Sequence, residues 1–373
     1  EMKYSICKVI AESAREIPES ITVQQVSEVE VYIPHIVEVA ENLYEFLSDD
    51  DLITPFHRLG WFYRGQGLYS QAQPWLEKGN KIAEQRLGDE HPNVAISISN
   101  LAVLYDNQGR YKEAESLHLQ ALEIRKKLLG VEHSDTTQSL NNLAVLYYNQ
   151  GRYKEAESCH LQALEMRKKL LGDEHLDVAE SLNNLAALYH NQGRYEEAES
   201  SHLQALETRK KLLGDEHSYV ATSLYNLALL YESQGRYEEA ESSILQALER
   251  YKKLLGDEHP YVTNSLNALI SLYESQGRYE EAESFHLQAL EMRKKLLGDK
   301  HPDVAHSLNN LANLYESQGR YEEAESFHLQ ALEMRKKLLG DKHPDVAHSL
   351  NNLANLYESQ GRYEEAESFH LQA

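Results

Sequence analysis

Hydrophobic and polar positions along this chain follow the 3.6-residue period of a helix, and the periodic stretches come in pairs. In Ser139–Asn149 the period gathers Leu140, Leu143, Ala144, Leu146 and Tyr147 on one side, and Gly151 follows where a left-handed cap ends a helix. A second stretch begins at Tyr153. Its acids come early (Glu155, Glu157) and its bases late (Arg167, Lys168, Lys169), the order that suits the helix dipole, and Gly172 closes it. Glu165 and Lys169 are spaced i,i+4 for pairing on one helix face, as are Glu123/Lys127, Glu291/Lys295 and Glu333/Lys337. In the connection 340–345, Pro344 stands where a first-turn proline is tolerated before the next helix. No segment alternates with period two. The pattern predicts an all-α protein built from helix pairs.

The pair is written repeatedly. Gly-Arg-Tyr recurs at 109, 151, 193, 235, 277, 319 and 361, always 42 residues apart; 277–318 and 319–360 are identical, and 361–373 begins the same unit again. One period before the first copy stands Gly67-Leu68-Tyr69. Units of this length that cannot bury their apolar faces alone stack into a solenoid. The expected organisation is an N-terminal helical cap or linker at 1–51 and a solenoid at 52–373. The solenoid comprises a degenerate first repeat (52–90), six full repeats (91–342) and a truncated last repeat (343–373). Ending at Ala373 leaves the last helix short of its siblings, which predicts fraying from 361 onward or self-association through that end.

Leu59-Gly60 and Tyr63, and in later copies Leu143-Ala144 and Tyr147, resemble the tetratricopeptide pattern Leu-Gly-x2-Tyr; Ala156 and Ala163 fill the small positions of the second helix. The second helix then runs on through Arg-Lys-Lys-Leu-Leu, which accounts for the longer unit. Over 52–373 these lengthened repeats are similar to those of kinesin light chains. The resemblance implies a right-handed superhelix whose concave groove binds peptide segments of protein partners. It also implies an adaptor coupling cargo to a motor heavy chain or modulating it. The stretch 32–80 resembles instead the region leading into the repeats of signal-transduction NTPases with a tetratricopeptide sensor, the alternative reading. Helices are expected at 3–15 and 35–48, where Ile36, Val37, Ala40, Leu43, Tyr44 and Leu47 form a stripe that the first repeat should cover. Pro18 and Pro34 interrupt any heptad run of the kind that joins light chains to the motor.

Composition narrows the function. With 41% hydrophobic residues, mean hydropathy −0.61 and no apolar run near the roughly 20 residues of a bilayer span, membrane insertion is not expected. Lys and Arg number 37 against 60 Asp and Glu, and a net charge of −23 repels nucleic acid. Two cysteines, Cys7 and Cys159, make no disulfide framework, which points to a cytoplasmic protein, associated with the cytoskeleton if the light-chain resemblance holds. There is no phosphate-binding loop, nucleophile elbow, H-E-x-x-H or C-x-x-C, so neither a catalytic site nor a cofactor is expected. Histidines recur at one loop position (91, 133, 175, 217, 259, 301, 343) and one second-helix position (118, 160, 202, 286, 328, 370). No metal is expected there. Ile244 and Leu76 occupy the second column, and neighbouring helices lie about 8–10 Å apart, too far for equivalent imidazoles to share an ion held at about 2 Å. Capping or packed imidazoles are the reading.

What remains is a surface. Opposite the core stripe of each first helix lie positions such as Gln138, Asn141, Val145, Tyr148 and Asn149, the arc that faces the groove in tetratricopeptide folds. One column there runs Arg64, Asp106, Tyr148, His190, Glu232, Glu274, Glu316, Glu358, from mixed to acidic. Asparagines recur as the pairs Asn141-Asn142, Asn183-Asn184, Asn309-Asn310 and Asn351-Asn352, partly matched by Asn100, Asn226 and Asn267. An amide both donates to and accepts from an extended main chain. By resemblance, the second asparagine of each pair holds a peptide ligand. The candidate partner-binding residues are therefore Arg64, Asn100, Asn141, Asn142, Tyr148, Asn183, Asn184, His190, Asn226, Asn267, Asn309 and Asn310.

Overall fold

The computed structural model describes residues 1–18, 26, 28–257, 259–299 and 301–373, and among them every regular element is helical. Helix pairs of the expected kind follow one another, forming an all-α solenoid of repeated helical units. The chain divides into two compact units, Glu1–Gly193 and Arg194–Ala373.

In the first unit, Met2–Ala14 and a helical segment from Ile33 precede the pairs Thr54–Gly65 with Tyr69–Leu87, Pro92–Asn107 with Tyr111–Leu129, and Ser134–Asn149 with Tyr153–Leu171; Leu176–Asn191 completes it. The segment expected as one helix at 35–48 is α-helical over Ile33–Glu38, widens to a π turn over Val39–Leu43 and tightens to a 3-10 turn at Tyr44–Phe46. Ile36 and Ala40 are buried with Phe56, Leu59 and Phe62, so the stripe is covered by the first repeat. The small residue at Gly60 has a direct cause: a Cβ there would stand 2.4 Å from a methyl of Leu76 on the partner helix. Later repeats carry Ala in that column, except for Ile270.

In the second unit, Tyr195–Leu213 is followed by Ser218–Ser233 with Tyr237–Leu255, Pro260–Ser275 with Tyr279–Leu297, Pro302–Ser317 with Tyr321–Leu339, and Pro344–Ser359 with Tyr363–Gln372. One continuous core of Leu, Ala, Val and Tyr runs through it, including Leu227, Leu269, Leu311 and Tyr315.

First helices begin earlier than their apolar period suggests, at Ser134 rather than Ser139 in the example above. The loop histidine sets the start. His133 has extended backbone angles, and its Nδ1 accepts from the Asp135 amide at 3.2 Å, the geometry of an N-cap. His91, His175, His217, His259, His301 and His343 cap their helices in the same way. At the other end, Gly151 has φ 71° and Gly172 φ 83°. That region is open to glycine at no steric penalty, so helices stop where the glycines stand.

The Gly-Arg-Tyr arginine joins repeats. Arg152 lies over the Tyr147 ring at 4.2 Å and donates to Glu115 of the preceding second helix at 2.8 Å. Arg320 does the same over Tyr315 with Glu283 at 2.6 Å, and the Tyr315 hydroxyl donates to that carboxylate at 2.8 Å. The lysines correct the sequence reading. Lys127 pairs with Glu90, Lys169 with Glu132 and Lys253 with Glu216, acids of the preceding loop, because that loop lies beside the helix end. Glu333–Lys337 does form within its helix, at 3.4 Å. Among the described residues no helix is long and apolar enough to cross a membrane.

Candidate functional site on the first helices

Each first helix buries its apolar stripe and leaves a narrow polar arc. In Ser134–Asn149 this arc consists of Gln138, Asn142, Val145 and Asn149, one helical turn apart, exposed or half-buried. Neighbouring first helices touch through these arcs. In the first unit Asn149 donates to Asp106 at 3.1 Å; in the second, Asn352 donates to the Asn309 oxygen at 3.0 Å and Ser359 to Glu316 at 3.2 Å. The arcs therefore lie edge to edge within each unit.

The two asparagines of a pair have different surroundings. At 141 and 309 the first turns inward, whereas Asn183 is half-buried and Asn351 exposed. Asn141 and Asn309 are buried, and their side-chain oxygens face Nδ1 of His160 at 3.4 Å and of His328 at 2.9 Å. His160 and His328 of the second-helix column are thus packed imidazoles bonded to their own repeat's first helix. Asn100 is buried as well, accepting from the Trp61 indole at 3.3 Å and lying 3.1 Å from His57 Nδ1. A ligand does not reach these three amides. Past Asn100, which belongs to the second column, that column stays accessible: Asn142 is half-buried and accepts from Gln138 at 2.9 Å, while Asn184, Asn226 and Asn310 are half-buried.

The remaining candidates are spread along the arcs. Arg64 is half-buried, as are Asn183, His190 and Tyr148, whose ring centre lies 5.8 Å from that of Tyr153. Burial holds His190 below the ordinary imidazole range and Asp106 above the usual carboxyl range. Glu232 is also raised by burial.

Two of the candidates, Asn267 and Asn310, meet in one cavity of about 340 Å³ between Pro260–Ser275 and Pro302–Ser317. Asn313, Ser271, Glu274 and His306 line it from the same helices, and His286 and Arg293 close its base from Tyr279–Leu297. His286 Nε2 bonds the Glu274 carboxylate at 2.9 Å, and the Asn310 amide lies 3.3 Å from His306 Nε2. Burial, then the charges of Arg293 and Arg335, lower the His306 pKa. Arg293 is anchored by Ser307 Oγ. The cavity thus presents amides, a hydroxyl, a carboxylate and imidazoles on a scale suited to a few residues of extended chain. His306, Asn313 and Arg293 are absent from the sequence-derived site. Spacing does reveal the first two, because positions four before and three after Asn310 share its helix face.

The tetratricopeptide repeat family matches residues 51–127, 135–211, 177–253, 219–295, 261–337 and 317–373. No curated relative matches the chain. Among solved structures, BtubC (BKLC) of P. vanneervenii is similar at 23% identity and TM-score 0.52, over 64% of this chain and 95% of that one. A Podospora anserina protein described as a kinesin light chain with nearly identical repeats shares 30% identity at TM-score 0.48, over 53% of this chain and 93% of that one. The apo quorum sensor NprR of B. thuringiensis aligns at 18% identity and TM-score 0.59, over 88% of this chain and 87% of that one.

Proposed function

We propose that this chain, which belongs to the tetratricopeptide-repeat family, is a non-enzymatic protein-interaction scaffold that holds an extended peptide segment against its first helices. The observation that carries the reading is the cavity between Pro260–Ser275 and Pro302–Ser317, where Asn267 and Asn310 converge with Asn313 and Ser271. Amides and hydroxyls of this kind satisfy the main-chain groups of a bound segment without dictating its side chains. The second asparagine column carries the same chemistry in each unit, Asn142 and Asn184 in the first, with Tyr148, His190 and Arg64 on its arcs, and Asn226 and Asn310 in the second. The finer role that fits the resemblance of 52–373 is a kinesin-light-chain-like adaptor, whose repeats recruit a protein partner.

Selection from a random peptide library on the immobilised chain tests the scaffold reading. Extended ligands should be enriched, and Asn310→Ala with Asn267→Ala should weaken them about ten-fold or more while leaving the thermal midpoint within a degree or two. A library that yields no ligand, or ligands indifferent to both substitutions, sinks it.

A further inference from the structure

The second unit carries a signature beyond its amides. None of the first helices Pro260–Ser275, Pro302–Ser317 and Pro344–Ser359 contains a lysine or arginine. Each places a glutamate at the same point of its arc, Glu274, Glu316 and Glu358. Beneath them, the arginines of the second helices are committed inward: Arg335 is buried and donates to Ser349 at 2.6 Å, and Arg293 to Ser307.

A buried imidazole points the same way. His328 is fully buried, and its Nδ1 lies 2.9 Å from an Asn309 oxygen that already accepts from Asn352 at 3.0 Å. The imidazole is therefore the donor at Nδ1, and its Nε2 is left as a lone pair with no partner. Its counterpart His370 sits on Asn351 through Nδ1 in the same way, and there Nε2 faces Glu358 at 3.4 Å. In His286 the equivalent nitrogen meets Glu274 at the cavity. The vacant His328 nitrogen is the counterpart of the two that face glutamates of this column. With no lysine or arginine on these first helices, the glutamate column itself lacks a charged donor, and a cationic side chain supplies one.

Spacing adds the register. Side chains of adjacent first helices touch, which sets their axes about 8–10 Å apart. An extended or polyproline chain rises about 3.1–3.3 Å per residue, so three residues span one repeat.

We propose that this face of the second unit takes an extended segment carrying a lysine or arginine at every third residue, each cation meeting one glutamate of the Glu274–Glu316–Glu358 series while the asparagines hold the main chain. The proposal rests on the groove reading above and names its ligand class.

Four fluorescent synthetic peptides of equal length, titrated into the full chain, test it: lysine at every third position, the same lysines clustered, glutamine for lysine, and glutamate for lysine. The spaced-lysine peptide should bind tightest and the glutamate peptide weakest. Glu316→Gln with Glu358→Gln should weaken the spaced peptide about ten-fold and leave the glutamine peptide unchanged. Glu322→Gln with Glu364→Gln, exposed on the second helices, should change neither, which separates a site from the general attraction of an acidic protein. Circular dichroism melts check that each variant folds. Equal binding of clustered and spaced lysines, or equal loss in both double variants, overturns the cationic register. In that case a glutamine peptide still lost by Asn310→Ala leaves the groove reading standing. Indifference of every peptide to Asn310→Ala overturns both.

Discussion

Asn309 and Asn310 are neighbours in sequence and opposite in role. Removing the Asn309 amide strips the partner from a buried imidazole, and an unsatisfied buried polar group costs about 1–3 kcal/mol. Asn309→Ala should therefore lower the urea midpoint, whereas Asn310→Ala should leave it unchanged and act on binding; reversed results would exchange the two assignments. The buried histidines give a pH dependence of defined sign. Burial, helped by the nearby Arg125, Arg167 and Arg335 charges, pushes His118, His160 and His328 down to about 4. The unfolded chain binds protons near 6.5 while the folded chain does not. Their contribution is therefore full above pH 6.5 and is lost as pH falls toward 4. Urea midpoints measured from pH 7 to pH 4.5 should fall, and His118→Leu should flatten the slope, because Ile244 and Leu76 fill the same slot fully buried. An identical slope in wild type and variant would remove this histidine from the account. The column was legible as interior from those two hydrocarbons. Which asparagine of a pair faces inward was not, since adjacent positions on a helix differ by only about 100° of rotation and either fits a polar arc.

At the scale of the element, glycine and histidine punctuate the chain more sharply than the apolar period does. The period alone starts a first helix at Ser139, because the residues before it are polar or small; the true start, Ser134, follows from the His133 cap. Reading a histidine as an N-cap requires seeing its ring nitrogen accept the amide two residues on, which spacing does not display. His133→Ala should destabilise by about 1 kcal/mol and His133→Asp by much less, as read from urea midpoints. The i,i+4 spacing does not name the nearest acids of Lys127 and Lys169 for a related reason. A periodic pattern describes one helix, whereas Lys127 and Lys169 lie where the preceding loop's Glu90 and Glu132 approach. Connections between repeats are likewise written in residues 32 and 37 positions apart, Tyr315 and Arg320 with Glu283. A period-42 comparison exposes these columns but not their partners. Arg320→Ala should lower the unfolding midpoint more than Arg15→Ala: Arg320 joins a carboxylate that also takes the tyrosine hydroxyl and covers a ring, whereas Arg15 is half exposed in its pair with Asp51.

For the whole molecule, repetition turns architecture into a testable arithmetic. Because 277–318 and 319–360 are identical, deleting 277–318 joins Gln276 to Gly319 with the same local sequence that Gln276 and Gly277 have. In a solenoid each repeat contacts only its neighbours, so stability is close to a sum of repeat and interface terms. The shortened chain should fold with unchanged helix content per residue and a lower thermal midpoint. Its cavity would be rebuilt from the same residue types: His348, Asn352 and Asn355 replace His306, Asn310 and Asn313, and His328 and Arg335 replace His286 and Arg293. Binding that depends only on amides should therefore survive the deletion. Binding that depends on the glutamate series should weaken by about the amount that Glu316→Gln alone removes, because Glu316 is gone from the series. Circular dichroism and peptide titration on the deleted chain separate these outcomes. Failure to fold would mean that the copies are not interchangeable, and the nearest-neighbour account of this solenoid would fall with it.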